Sequence, residues 1–428
     1  MLLLLTLSFG ILIILSYTVF EKRHNVISLT IIIWYMSAFL LKLNLMSIDP
    51  VRLKTYAIIT TAILFIIIGA FVGSMTYFPI KTKSFNGRKK NNDNLLSIRF
   101  YYELLIVSGS VIIYNTIILL TKYGGITIFL ANANKLYAER ISGDYVLTIP
   151  YLGSLAFVSC SLGGYHLSKH KKNFKNILLY FLLPIFLIII DSATILGRAD
   201  IIISFFLFFS SYLYSNYKTK NYQIKIINKQ LFYFMVINVV LWSLLIQFRD
   251  IRGGYENYHF KKKIPAIEFL EQKDLFRPSM YLYFVSPIAV FDNTIGHNFN
   301  DRTWFPGKET FAPIIRLLGK PFNIEVERYE ASVSIGIREA NTGTMLKDFY
   351  MDFGILGMLI MCLILGFIFY RTTKKWYKND TFVIELSFLS TYFLMSIFVN
   401  LFRLGQFMIP LLLILVLRKI FKYKWKLR

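Results

Sequence analysis

Apolar residues run in long continuous blocks along this chain, and the polar residues are gathered between them. Eleven blocks stand out, at 2–20, 26–46, 55–78, 100–121, 146–168, 177–195, 199–217, 231–248, 345–370, 382–401 and 406–420. A spanning helix needs about 20 predominantly apolar residues, and only helices or closed barrels satisfy their backbone groups in lipid. Barrel strands would be about ten residues long and alternating. The pattern therefore predicts an all-α polytopic membrane protein of about 11 transmembrane helices.

The polar intervals give the orientation. Those at 21–25, 79–99, 169–176, 218–230, 371–380 and the tail from Arg418 carry 2, 6, 4, 4, 4 and 6 Lys+Arg. They alternate so as to share one side, which the excess of basic residues assigns to the cytoplasm. The first block has no basic residue before it, and Lys22 and Arg23 follow it, so it is expected to be a retained span with its N-terminus outside. The C-terminus is then inside. One interval is far longer than the rest. Residues 249–344 hold 13 of the 48 Lys+Arg and 12 of the 24 Asp+Glu. This near-neutral, aromatic-rich stretch is expected to form an external loop domain, between helices one to eight (1–248) and helices nine to eleven with a basic tail (345–428). Within it, Met280 to Phe291 is apolar but short and contains Pro287. The sequence leaves it as an interfacial or re-entrant segment, or as core of the external domain.

Only 17% of the chain is charged, yet the formal net charge is +24. Cytoplasmic loops account for that excess, and no basic stripe on a soluble domain points to nucleic acid. Cys160 and Cys362 both lie in apolar blocks, so no disulfide is expected. His24, His166, His170, His259 and His297 give no catalytic zinc signature, and neither metal nor cofactor is expected.

Charged residues recur at the outer ends of the expected spans, where burial is costly. Asp191, Arg198 and Asp200 fall in one tight turn. Arg249 and Arg252 leave the eighth span, Arg338 precedes the ninth, Asp352 lies within it, and Arg403 sits in the last outer turn. Any one arginine there is explained by snorkelling to the headgroups. Several from different spans point instead to a lipid-linked phosphate or pyrophosphate, which guanidinium matches through bidentate bonds. Arg140, in the outer interval 122–145, joins this substrate-binding set. His297 is an eligible acid or base. For Asp352 a bland role competes, pairing with Lys347 or with an arginine of a neighbouring helix. Gly354 and Gly357 would let another helix approach closely.

The words around Asp352 carry a resemblance. Asn341-Thr342-Gly343-Thr344 followed by Asp348-Phe349-Tyr350-Met351-Asp352-Phe353-Gly354-Ile355-Leu356-Gly357 resembles the "N-x-x-T … D-F-G-x-x-G" word of bacterial oligosaccharide repeat-unit polymerases, the Wzy-type O-antigen and capsule polymerases. Leu196-Gly197-Arg198 looks like their "G-S-R" turn. Tyr281 to Phe291 and Phe311-Ala312-Pro313-Ile314-Ile315-Arg316-Leu317-Leu318 resemble their "Y-x-x-x-P" and "P-x-x-R-x-L" loop words. The likeness runs from about residue 100 to 420, more in layout than in identity.

It implies a GT-C-like helical architecture in the bacterial inner (cytoplasmic) membrane and a metal-independent glycosyl transfer on undecaprenyl-pyrophosphate-linked glycans, with a chain-length regulator as a possible partner. Arg198 and Arg338, then Arg249, Arg252 and Arg403, would stabilise the pyrophosphate leaving group. Asp352 and Glu339 are the candidate bases, with Asn341 beside them. A polysaccharide flippase or other transporter is the rival, although such proteins usually show halves of similar span number. An O-antigen ligase is a further rival. Ligases carry a histidine before the asparagine, where this chain has Ala340.

Overall fold

The computed structural model describes residues 2–20, 26–76, 94–125, 128, 149, 151–171, 173–195, 199–219, 259–262, 264–273, 276–296, 306–319, 333–340 and 342–426. These are almost entirely helical. Six described helical stretches are long and apolar enough to cross a membrane. They are α1 (Leu2–Val19), α2 (Val26–Leu43), α3 (Leu53–Met75), α4 (Ile98–Lys122), the stretch Phe174–Ala193 and α11 (Met345–Lys378). The outward faces of α1, α4 and α11 expose Leu3, Leu4, Ile14, Ile106, Ile117 and Leu356. That pattern fits a lipid surround. The chain is thus an all-α membrane protein. The expected span at 231–248 lies outside the described residues.

Two compact units organise the chain, and they do not follow sequence order. One gathers residues 1–82, 255–374 and 392–405, and the other gathers 83–254, 375–391 and 406–428.

In the first unit, α1 packs on α2 and α3. The stretch from Met280 to Phe291, expected as an interfacial or re-entrant segment or as core of the external domain, lies inside a 19-residue helix, α9 (Pro278–Gly296). At about 1.5 Å per residue it is roughly 28 Å long. Pro287 is accommodated within it, and its buried face packs on α2 and α3. Tyr281 fixes this docking. Its hydroxyl donates to the Leu40 carbonyl (3.2 Å) and accepts from the Leu45 amide (3.1 Å). Two short helices, α8 (Pro265–Gln272) and α10 (Ala312–Gly319), flank α9 in sequence, followed by a two-stranded antiparallel hairpin, β1 (Val333–Ser334) and β2 (Glu339–Ala340). Helix α3 meets α11 at two glycines. A Cβ on Gly69 would overlap the Leu363 carbonyl, and one on Gly366 would overlap the Ile66 carbonyl.

The second unit is built on α5 (Ala156–Lys169), α6 (Leu183–Ile195) and α7 (Ala199–Thr219), with α4 beside them. A π-helical turn, Leu178–Leu182, leads into α6. Helices α5 and α7 form the most extensive contact, through buried serines and glycines. Here α5, with 14 residues, is shorter than the span expected at 146–168. Likewise α12 (Val383–Met395) has 13 residues and gives way to a capped turn before α13 (Gly405–Lys426).

Candidate functional site

The described part of the resembling word, from Thr342 to Gly357, folds into one structural device. Thr344 is the cap of α11, its hydroxyl accepting from the Lys347 amide (3.1 Å), and so satisfies one of the orphan donors at a helix start. The Met345 amide bonds the Ser396 carbonyl (2.8 Å), which docks this helix start onto the segment after α12. Asp348 stands in the first turn, where a carboxylate is favoured by the helix dipole. Asp352 follows one turn later, and two residues on the helix breaks. Gly354 has φ 68° and ψ −172°, a conformation open essentially to glycine alone. Beyond the break the chain lies so close to itself that a Cβ on Gly357 would collide with the Phe353 side chain. The two glycines, expected as a packing face for another helix, instead make the break and fit α11 to it. Asp352 therefore sits at the end of a short helical segment rather than deep in a continuous one.

That position lets Asp352 reach backbone. Its Oδ1 accepts from the Glu309 amide (2.9 Å) and its Oδ2 from the Thr310 amide (2.7 Å). The partners expected were Lys347 or a neighbouring arginine. The described partners are two amides of a Pro306–Thr310 turn, which a left-handed Gly307 (φ 89°) allows. The turn is further closed by the Phe311 amide donating to the Gly307 carbonyl (2.8 Å), and it leads directly into α10.

A second anchor comes from the segment between α12 and α13. Asn400, fully buried, caps the turn Leu401–Arg403, accepting from the Phe402 amide (3.2 Å) and from the Tyr392 hydroxyl (3.1 Å). Phe402 stacks on Phe311 (centroids 6.2 Å) and packs tilted against Tyr392 (4.2 Å). Arg403 is thereby turned inward and left only 7% exposed. Its Nη1 pairs with Glu309 and lies 3.9 Å from Asp348, which is 1% exposed. Burial pulls the guanidinium down to about 10, so it stays cationic at neutral pH. Glu309, Asp348, Asp352 and Arg403 are thus gathered from three segments distant in sequence. Burying charge is expensive, and such gatherings in membrane proteins mark functional positions more often than simple packing.

Of the residues expected from the sequence, Asp352 and Arg403 come together on this turn. Arg338 and Glu339 are on the β1–β2 hairpin, with Arg338 Nε bonded to the Glu339 carbonyl (3.1 Å) and the Glu339 side chain exposed. Asn341, Arg198, Arg249, Arg252, Arg140 and His297 lie outside the described residues. Sequence reasoning missed Glu309 and Asn400. For Glu309 a signal existed: it follows a Pro-Gly turn dipeptide just before the Phe311 loop word. Nothing in the sequence marks Asn400 beyond its being a good capping residue at the end of an apolar block.

Comparison of the chain with family models, with curated proteins and with solved structures gave no match.

Proposed function

We propose that this protein polymerises undecaprenyl-pyrophosphate-linked oligosaccharide repeat units at the outer face of a bacterial cytoplasmic membrane. The reading is carried by one observation. The word that resembles the repeat-unit polymerases folds into a capped, broken helix whose Asp352 and Asp348 meet a buried arginine–glutamate pair, Arg403–Glu309. In the reaction, the hydroxyl at the non-reducing end of an incoming repeat attacks the anomeric carbon of the growing glycan. A new glycosidic C–O bond forms, the C–O bond to pyrophosphate breaks, and undecaprenyl pyrophosphate leaves with the electron pair. The hydroxyl proton passes to a carboxylate. Asp352 and Glu309 are the candidates on the turn and Glu339 is the alternative on the hairpin, with Asn341, two residues further along the sequence, as a hydrogen-bonding residue that orients the acceptor. Arg198, Arg338, Arg249, Arg252 and Arg140 are the cations for the pyrophosphate, and Arg403, held by Glu309 and Asp348, positions the turn that carries the carboxylates. The all-α, roughly eleven-span, GT-C-like arrangement, the N-out and C-in topology and the external character of residues 249–344 belong to the same proposal.

One feature favours a second reading. A discontinuous helix with a half-buried carboxylate beside its break is also how transporters build substrate sites. A flippase would use α11 in that way. The two readings part on one experiment, the chain-length distribution of surface glycan and lipid-linked glycan in a strain lacking the gene. A polymerase defect leaves single repeats, translocated and lipid-linked. Repeats stranded on the inner leaflet would favour the flippase, and long unattached polymer would favour a ligase.

A further inference from the structure

A separate cleft of about 240 Å3 opens in the first unit and shares no residue with the Arg403 turn. Asp49, Val51 and Arg52 line it from the α2–α3 connection, Ala289, Asp292, Asn293 and Gly296 from the end of α9, and Ser334 and Ile335 from the hairpin. Its walls are built around charged groups. Arg52 is clamped to Asp292 by Nε (3.2 Å to each carboxylate oxygen) and by its own amide (3.1 Å), and Thr55 donates to the same carboxylate. The Nη edge of the Arg52 guanidinium lies against Gly296, where a Cβ would strike it, and the Asp49 carboxylate lies against Gly336, where a Cβ would do the same. Asn293 Nδ2 donates to the Ser334 carbonyl (2.6 Å), and the Asp49 amide donates to the Ile335 carbonyl (3.2 Å), which ties the three walls together. The Asp292 carboxylate is thus fully engaged. Among the described residues, nothing donates a hydrogen bond to the Asp49 carboxylate.

The chemistry selects a ligand class. Two carboxylates against one guanidinium give the cleft a net negative charge, which repels phosphate and pyrophosphate. A carboxylate, an amide, a serine hydroxyl and a guanidinium edge around an apolar floor of Val51, Ala289 and Ile335 suit a molecule with vicinal hydroxyls on one side and C–H groups on the other. The hairpin that forms one wall runs on to Thr342, whose hydroxyl bonds Ser286 of α9 (2.9 Å), and then to the capped start of α11. We infer that this cleft is a saccharide subsite that seats one neutral or amino-bearing sugar ring of a glycan, with Asp49 as its main hydroxyl acceptor. The inference rests on the glycan reading above, and it assigns the glycan a position apart from the charged turn.

The test uses the full chain in lipid nanodiscs and, as probe, fragments of the host's own surface polysaccharide prepared by partial acid hydrolysis. Saturation-transfer NMR reads binding, and a lipid-linked polymerisation assay is run in parallel. Asp49→Asn should weaken binding roughly tenfold, the loss of a hydrogen bond to a charged group. Ser334→Phe, on an exposed rim position, should block the cleft and abolish binding with the purified yield and melting temperature unchanged. Fragments that bind both variants as they bind the wild type overturn the subsite, as does displacement of bound fragments by inorganic pyrophosphate. A wild-type chain that binds fragments in an Asp49-dependent manner but polymerises nothing keeps the subsite and removes the polymerase reading.

Discussion

Two arginine–glutamate pairs flank the apolar stretch of α13, and they are built to different ends. Arg418 pairs with Glu385, bonds the Thr381 carbonyl and lies over the Phe382 ring at 3.9 Å. All three contacts come from one short segment, 381–385, so one cation is matched by one carboxylate and sealed by an aromatic face. Arg403 pairs with Glu309 but also approaches Asp348, and Glu309 belongs to the turn that Asp352 holds. Here two carboxylates from two other segments, Glu309 and Asp348, reach one guanidinium. The first arrangement is complete in itself and locks a helix to its neighbour. The second joins segments distant in sequence, and it concentrates ionisable groups where the resembling word lies.

The largest expected effect is at Asp352. Its two oxygens take two amides, so asparagine keeps the shape but offers one acceptor and turns an NH2 toward the other amide. Asp352→Asn should insert and express near wild type yet polymerise about a hundredfold more slowly or worse, the range lost with a positioned acid or base. Asp352→Ala should also lower expression, because both amides lose their partner. Wild-type polymer from Asp352→Asn in a purified lipid-linked assay would leave Asp352 a clamp alone and shift the chemistry to Glu309 or the arginines.

The two pairs can be set directly against each other. Arg403→Lys replaces a planar fork by a point charge, and polymerisation should fall about tenfold or more with melting little changed. Arg418→Met should do the opposite. It leaves Glu385 buried and unpaired, at a cost of roughly 3 kcal/mol or more, while the protein that survives purification makes polymer of normal length. If Arg418→Met shortens polymer per folded molecule, the distinction between a lock and a site fails.

From the sequence these two arginines look alike, each at an end of an apolar block, and snorkelling accounts for either. What separates them is which carboxylates reach them, and those partners are distant in the chain. The same limit explains Asp352: its depth in an apolar run was legible, but its backbone partners depend on a turn 42 residues away that only tertiary structure brings near. Continuity of hydrophobicity made α1 to α4 and much of α11 readable, because lipid leaves so few alternatives. At α9 it showed only the apolar middle of a 19-residue helix whose ends are tied to α2 and to the hairpin. Gly354 was visible as a letter of the word. A lone glycine in an apolar helix is ordinarily tolerated, so the break it makes was not.

A smaller effect is expected at that break. Gly354→Ala forces a Cβ into a backbone region reserved for glycine, at about 1–3 kcal/mol. The helix would relieve the strain by straightening, which draws Asp352 away from the Glu309 and Thr310 amides. Activity should drop further than the lowered melting temperature explains. Equal activity per folded molecule would show that the break is only a packing feature.

The smallest effects belong to the neutral seam of the second unit, which marks the baseline for buried polar groups in this protein. Ser161 and Ser387 share a hydrogen bond at 2.7 Å, and the Tyr214 hydroxyl meets Ser390 at 2.8 Å. Each serine also bonds within its own helix where it can, as Ser387 and Ser390 do to the carbonyls of Ile384 and Leu386 (both 2.7 Å). Losing an interhelical partner therefore strands little. Such bonds average about 0.6 kcal/mol in membrane proteins, so Ser161→Ala and Tyr214→Phe should each lower stability by about that much and leave polymer length untouched. A double variant should come close to the sum, since the two pairs share no partner. A loss of polymerisation in either single variant would mean that the seam takes part in the chemistry, and the contrast with the charged turn would no longer separate packing from function.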